Sequence, residues 1–180
     1  MQPGRNIVLT IGHSTRTLEE FIRLLRDHGV THVADVRAVP RSRRNPQYNR
    51  DALPSALGAV GIGYSHLPGL GGLRHPRPDS VNTGWRNLSF RGYADYMQTQ
   101  EFAAGVDAVV ALAADGHVAL MCAEAVPWRC HRSLIADALA VRSVPVEHII
   151  GATRRLHALT PWAHVDGTRV TFPSSAATRR

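Results

Sequence analysis

The sequence predicts a single α/β domain with a mainly parallel sheet, helices on both faces in Rossmann-like layers, and a C-terminal β-hairpin. Short β-branched apolar runs alternate with helical patterns along most of the chain, as they do in parallel sheets. The 180 residues can bury one core, and the 44% hydrophobic fraction is typical of a globular protein. We therefore expect one domain over residues 1–173 and a loose tail over 174–180.

Five apolar runs predict the strands, and they cover residues 6–14, 31–39, 62–67, 117–123 and 146–151. The first predicted helix, 17–29, begins with a capping box formed by Thr17 and Glu20 and ends at Gly29. Further helices are predicted over 50–61, over 92–116 and directly after the fourth strand. An Asp-Gly turn predicts the hairpin over 163–172.

Residues 68–91 follow neither the helical nor the strand period. A stretch of this length predicts a lid, a binding loop or a disordered segment. Its Arg74 and Trp85 are candidates for contact with a substrate, because arginine binds phosphate while an aromatic ring stacks on a base. The alternative for Trp85 is a hydrophobic plug that seats the loop.

Composition restricts the class of protein. No apolar run approaches the roughly 20 residues that span a bilayer. Residues 1–5 carry no signal-peptide pattern, so we expect a cytoplasmic protein without a membrane partner. Its two cysteines are then expected to be reduced. The net charge of +7, carried by arginine without any lysine, is compatible with a nucleotide or nucleic-acid partner.

Polar residues gather where the predicted strands end. Because ligands bind outside the carboxyl ends of parallel strands, these residues are expected to share one edge of the sheet. They are His13 and Ser14 after the first strand, Asp35, Arg37 and Arg41 at and after the second, and Cys122 and Glu124 after the fourth.

The start of the helix that follows the fourth predicted strand predicts an anion site. Cys130 and His131 fall on the same stripe as the apolar positions of that helix, and Arg129 and Arg132 flank them. Cations in a first helical turn oppose the helix dipole, and a bound phosphate would reverse that effect. The alternative is that Glu124 pairs with one arginine while the other is solvated. The predicted anion-binding residues are Ser14, Arg37, Arg41, Arg129, His131 and Arg132.

Two carboxylates and a histidine are candidates for proton transfer. His13 or Asp35 would act as a general base, and Glu124 would orient the ligand or donate a proton. Asp35 is flanked by apolar residues, so a structural ion pair with Arg37, Arg16 or His13 is an equal alternative.

The cysteines permit two further interpretations. Cys122, between a strand end and a helix, could be a nucleophilic thiolate, although six residues separate it from Arg129 where phosphatase and rhodanese loops have five. The alternative is a small buried residue. Cys122, Cys130, His131 and His13 are weak candidates for metal ligands because no pair has close ligand spacing. No cofactor is predicted.

Five motifs occur in order: TIGHSTRT, VADVRAVPRSRRNPQYN, YSHLPGLGG, GYADYM and LMCAEAVPWRCHRSLIA. Together they resemble the DUF488 family, bacterial and archaeal proteins without an assigned function, over about residues 7–150. The resemblance implies no particular chemistry. It implies that the motif set includes His13, Ser14, Asp35, Arg37, Cys122, Glu124, Cys130, His131 and Arg132.

The leading hypothesis is an enzyme or binder that acts on a phosphate-bearing ligand, a nucleotide or a nucleic acid, at the carboxyl edge of the sheet. One alternative is a non-catalytic nucleic-acid-binding module that uses Arg41, Arg43, Arg44 and the long loop. The other is a cysteine-dependent enzyme of the sulfur-transfer or phosphatase type.

Overall fold

A computed structural model describes residues 6–175. Its strands are β1 Val8–Gly12, β2 His32–Asp35, β3 Gly63–His66, β4 Val118–Cys122, β5 Val146–Ile150, β6 Thr153–Leu156, β7 His164–Asp166 and β8 Arg169–Thr171. The first six form one sheet with the order β3-β2-β4-β1-β5-β6. Strands β1 to β5 run parallel to one another, and β6 pairs antiparallel with β5 at the edge. Strands β7 and β8 form a separate hairpin.

Five α-helices lie within residues 6–175 and cover the sheet on both faces, which confirms the predicted fold class. Successive strand residues face opposite sides, so Leu120 packs with the cluster that contains Phe102, whereas Met121 packs with the cluster that contains Phe21. None of these helices is long and apolar enough to cross a membrane. The helices are α1 Leu18–Asp27, α2 Leu53–Gly58, α3 Leu88–Tyr96, α4 Gln100–Asp115 and α5 Arg132–Ala140.

Local signals account for the helix that was predicted best. The capping box is present in α1, because Glu20 N donates to Thr17 Oγ1 over 3.2 Å and Thr17 N donates to Glu20 Oε2 over 2.9 Å. After α1, Gly29 adopts a left-handed φ of 70°, which favours glycine. The predicted start and end of this helix are therefore confirmed.

The helix predicted over 92–116 is wrong in its boundaries, because the structure has two helices with a break at residues 97–99. Asn87 caps the first of them by accepting from Ser89 N over 2.9 Å. Thr99 caps the second by accepting from Phe102 N over 3.3 Å. Asn87 thus caps a helix that begins before the predicted segment, and Thr99 caps a second helix within it.

The predicted loop over 68–91 is shorter than expected, because residues 68–70 form a 3₁₀ turn and α3 begins at Leu88. The rest is tied to α3 by the carboxylate of Asp95. Asp95 accepts hydrogen bonds from Arg77 N (2.8 Å), Ser80 Oγ (2.6 Å) and Asn82 Nδ2 (2.7 Å). These contacts hold a segment without regular structure against a helix.

Two further expectations are corrected by the structure. The helix after β4 begins only at Arg132, since residues 127–129 form a 3₁₀ turn and Cys130 is extended. Strand β6 was missed because all four of its residues are exposed and show no apolar alternation.

The predicted tail, residues 174–180, is described only in part. Residues 176–180 lie outside the described residues, and Ser174 N donates to Thr83 Oγ1 over 3.3 Å.

Candidate functional site

A cleft of about 650 Å³ opens at the carboxyl ends of β1, β2 and β4. Its volume lies in the range of small-molecule sites. The cleft brings together ten of the residues that the sequence singled out: His13, Ser14, Arg37, Arg41, Arg44, Cys122, Glu124, Arg129, Cys130 and His131. Asp35, Arg74, Trp85 and Arg132 do not line it.

The floor of the cleft is built from backbone that continues the sheet. Gly12 is in register with Cys122, and beyond that pair His13 N donates to the Cys122 carbonyl over 2.9 Å. Ser14 N then donates to the Ala123 carbonyl over 3.0 Å. A Cβ on Gly12 would lie 1.7 Å from the Glu124 carbonyl oxygen, so only glycine admits this close approach.

Asp35 lies behind the cleft in a buried ion pair with Arg37. Its carboxylate accepts from Arg37 N (3.1 Å), Arg37 Nε (2.9 Å), Arg37 Nη2 (2.7 Å) and the Tyr64 hydroxyl (2.6 Å). Arg37 Nη2 also donates to the Tyr48 carbonyl over 2.6 Å. These contacts match the structural ion pair that the sequence offered as the alternative to a general base, because the hydrogen bonds of the Asp35 carboxylate come from Arg37 and Tyr64.

His13 is held as a neutral imidazole with a defined tautomer. Its Nδ1 donates to the Ser14 carbonyl over 2.8 Å, so Nε2 is the acceptor and faces Arg37 Nη1 at 3.4 Å. The ring stacks on Tyr48 with a centroid distance of 4.1 Å. Burial lowers the pKa of His13, and the Arg37 charge lowers it further. The ring is therefore neutral near neutral pH, and its Nε2 lone pair faces the Arg37 guanidinium.

Exposed cations surround the mouth of the cleft. Arg41, Arg44 and Arg129 line it, and none of their guanidinium groups pairs with a carboxylate or donates a hydrogen bond to any residue of 6–175. Glu124 is the carboxylate at this mouth, and its side chain is exposed. The mouth therefore carries an excess of positive charge.

Arg132 is fully buried and lies behind the cleft wall. Its Nη1 donates to Thr10 Oγ1 over 3.2 Å, and its Nη2 donates to the Glu124 carbonyl over 2.7 Å. The guanidinium thus holds the backbone that follows β4. The sequence hypothesis placed Arg132 in the first helical turn beside a bound anion, whereas both of these donors bind groups of the protein itself.

A chain of buried polar groups extends from Arg132 into the protein. The Thr10 hydroxyl, which accepts from Arg132, shares a hydrogen bond with His148 Nδ1 over 2.7 Å. His148 Nε2 shares a second hydrogen bond with His157 Nδ1 over 3.0 Å, and His157 Nε2 donates to Asp137 over 2.8 Å. Arg132 Nε is buried and has no hydrogen-bond partner among residues 6–175.

Stability is expected to depend on the protonation of His148. Burial, together with the charges of His157 and Arg132, lowers the pKa of His148 from 6.5 to about 3. Between these values the unfolded chain binds the proton and the folded chain does not, so stability falls as the pH falls through this window. Replacing His148 with glutamine should reduce that slope, as measured by urea unfolding from pH 7 to pH 4.5.

The comparison with wild type isolates His148 because His13 and His32, whose pKa values are also lowered by burial, contribute equally to both proteins. Equal slopes in the two proteins would contradict the lowered pKa of His148.

Arg74 and Trp85 are engaged within the protein. The Arg74 guanidinium lies 3.6 Å from the centroid of the Tyr96 ring, and its Nε donates to the Gly71 carbonyl over 3.2 Å. Trp85 stacks on Phe90 at 4.8 Å and contacts Trp162 edge-on at 4.9 Å. The contacts of Trp85 match the alternative in which this side chain is a hydrophobic plug that packs the loop against the protein.

Sequence reasoning missed several residues that shape the site. Tyr48 and Tyr64 hold His13 and Asp35, and the polar chain behind the cleft depends on Thr10. Thr10 had a detectable signal, because it is a polar residue inside an apolar strand and requires a partner. Among residues 6–175, no three His, Cys, Asp or Glu side chains are arranged to hold a metal ion.

These features define an α/β protein with a cleft of ligand size at the carboxyl edge of a parallel sheet. The family model described as "Domain of unknown function DUF488" matches residues 17–139, and the chain belongs to this family. The resemblance drawn from the motifs is thereby confirmed. The match includes Cys122, Cys130 and His131, whereas His13 and Ser14 precede it. No curated protein and no solved structure matches the chain.

Proposed function

We propose that the cleft binds and acts on a phosphate-bearing ligand of nucleotide size. The observation that carries the proposal is the ring of exposed arginines, Arg41, Arg44 and Arg129, around the mouth. Guanidinium groups that line one cleft and have no partner among residues 6–175 suit phosphate oxygens, because their planar donors can bind two oxygens at once.

The neutral imidazole supports chemistry on that ligand. His13 Nε2 lies at the cleft wall beside Arg37, where it can accept a proton from a bound group. Glu124 is exposed at the mouth and would orient the ligand or exchange a proton with solvent. Arg37 serves mainly to position His13, since Asp35 and Tyr48 already occupy its Nε and Nη2 donors.

The volume of the cleft favours a nucleotide over a long nucleic acid. About 650 Å³ accommodates a small molecule, and the arginines lie around this space instead of along an extended groove. Arg43, between two of the cleft arginines in sequence, is exposed and does not line the cleft. A non-catalytic nucleic-acid module would use it together with its neighbours.

The test is a thermal-shift and calorimetric screen with nucleotides, inorganic phosphate and short oligonucleotides. A ligand at a hundred times its dissociation constant should stabilise the fold by about 2.7 kcal/mol. Arg41→Ala, Arg44→Ala and Arg129→Ala should each weaken nucleotide binding about tenfold or more, because each removes charge-assisted hydrogen bonds.

Arg43→Ala is the matched control, because it removes the same charge from the same segment outside the cleft. Nucleotide affinity should be unchanged in this variant. An equal loss in Arg43→Ala, with binding that weakens steeply in salt, would favour the nucleic-acid module instead. If no phosphate-bearing compound shifts the melting temperature, the proposed function is wrong.

A further inference from the structure

The two cysteines of the chain meet on the floor of the cleft. Cys122 is the last residue of β4, and Cys130 lies just before α5. Both thiols are free, and their Sγ atoms are 2.8 Å apart. Because a disulfide bond is about 2.05 Å long, the sulfurs need to approach by less than about 1 Å to form one.

The surroundings of the two sulfurs differ. His131 Nε2 donates to the Val36 carbonyl over 2.9 Å, which directs Nδ1 toward Cys130 Sγ at 3.6 Å. Arg132 N also donates to Cys130 Sγ over 3.5 Å. Cys122 Sγ instead faces the Glu124 carbonyl, an acceptor, at 3.8 Å. Hydrogen-bond donors therefore converge on Cys130 and not on Cys122.

This asymmetry separates the acidities of the thiols. Burial raises the pKa of Cys122 well above its ordinary value. Burial acts on Cys130 in the same direction, but hydrogen bonds from Cys122 and His131 outweigh it and hold the pKa of Cys130 well below its ordinary value. Cys130 is therefore the thiol of the pair that ionises first, and Cys122 is the one that keeps its proton.

We propose that Cys130 and Cys122 form a redox-active dithiol that reduces a small hydroperoxide in the cleft. The Cys130 thiolate attacks one peroxide oxygen, an S–O bond forms, the O–O bond breaks, and the leaving oxygen takes a proton from His131. The Cys122 sulfur then attacks the Cys130 sulfenic acid, and the hydroxyl group leaves with the Cys122 proton as water. Two electrons pass to the peroxide, and an external low-molecular-weight thiol restores the dithiol.

Burial of the sulfurs selects the class of substrate. Cys130 is 5% exposed and Cys122 is 2% exposed, so a small hydroperoxide can reach them through the cleft whereas a protein disulfide cannot. Attack on a phosphoryl group would need only one nucleophile, but conversion of a sulfenic acid to a disulfide requires the second thiol. The proposal does not depend on the phosphate-bearing ligand.

The experiment treats the reduced, folded protein with hydrogen peroxide near neutral pH and maps its cysteines by alkylation and mass spectrometry. The wild type should form a disulfide between Cys122 and Cys130 that a low-molecular-weight thiol reverses. In Cys122→Ser, Cys130 should stop at a sulfenic acid that dimedone traps. In Cys130→Ser, Cys122 should remain a thiol. Each serine variant is the control for the other, since both remove one sulfur from the same site.

The pH dependence of the oxidation tests the role of His131. His131→Asn should move the midpoint of the pH–rate profile upward by about one pH unit, because the thiolate loses its imidazolium partner. His75→Asn, at an exposed position outside the cleft, should leave the midpoint unchanged. The proposal is overturned if the wild-type thiols stay reduced when folded while the urea-unfolded chain is oxidised, or if the two serine variants are oxidised equally.

Discussion

Replacing Asp35 with alanine is expected to lower the free energy of unfolding by about 3–5 kcal/mol, because it leaves the Arg37 guanidinium buried without its counter-ion. The carboxylate is fully buried and also accepts from Arg37 N and the Tyr64 hydroxyl. Both donors would lose their acceptor in the variant. The loss is measured by urea unfolding, with the midpoint and the slope determined for each protein.

Asp79→Ala is the matched control for this change. Asp79 also pairs with an arginine, Arg77, but the two side chains are 71% and 70% exposed. Solvent screens such a pair, so the unfolding midpoint should not change measurably. If Asp35→Ala unfolded at the same urea concentration as wild type, the Asp35–Arg37 pair would not be structural and Asp35 would again be a candidate base.

Asp137→Ala is expected to destabilise the protein by about 3 kcal/mol or more, because several buried donors would lose one acceptor. Asp137 accepts from His157 Nε2 (2.8 Å), Thr160 N (3.0 Å) and Thr160 Oγ1 (2.7 Å). Asp137 also ends the polar chain that begins at Arg132, so the backbone of residues 123–126, which Arg132 holds, should become more mobile. Thermal and urea unfolding measure the first effect, and hydrogen exchange of residues 123–126 measures the second.

Asp107→Ala provides the comparison, because Asp107 also lies within a helix but is exposed. Both substitutions improve helix propensity equally, so the difference between them reports the buried contacts alone. A variant at Asp137 as stable as the one at Asp107 would contradict the assigned network.

Elements governed by local chemistry could be predicted from the sequence. The Thr17–Glu20 box begins α1, short apolar runs mark β1 to β5, and an Asp-Gly turn lies between the hairpin strands. Strand β6 could not be predicted, because its pairing with β5 depends on an available sheet edge and not on an apolar period. The break at 97–99 was missed although Thr99, a residue type that often caps helices, lies within a polar stretch there.

The sequence by itself determined the fold class, the family and the edge of the sheet where polar residues gather, since strand ends and motifs are local properties. Only the tertiary structure decided what each residue contacts. Arg132 faces the core and Arg129 the cleft although three positions separate them, because Arg129 ends a 3₁₀ turn whereas Arg132 is the first residue of α5. The cysteines, eight positions apart, meet because the chain reverses between β4 and α5. Burial and distance are set by packing across the whole chain, and no local pattern encodes them.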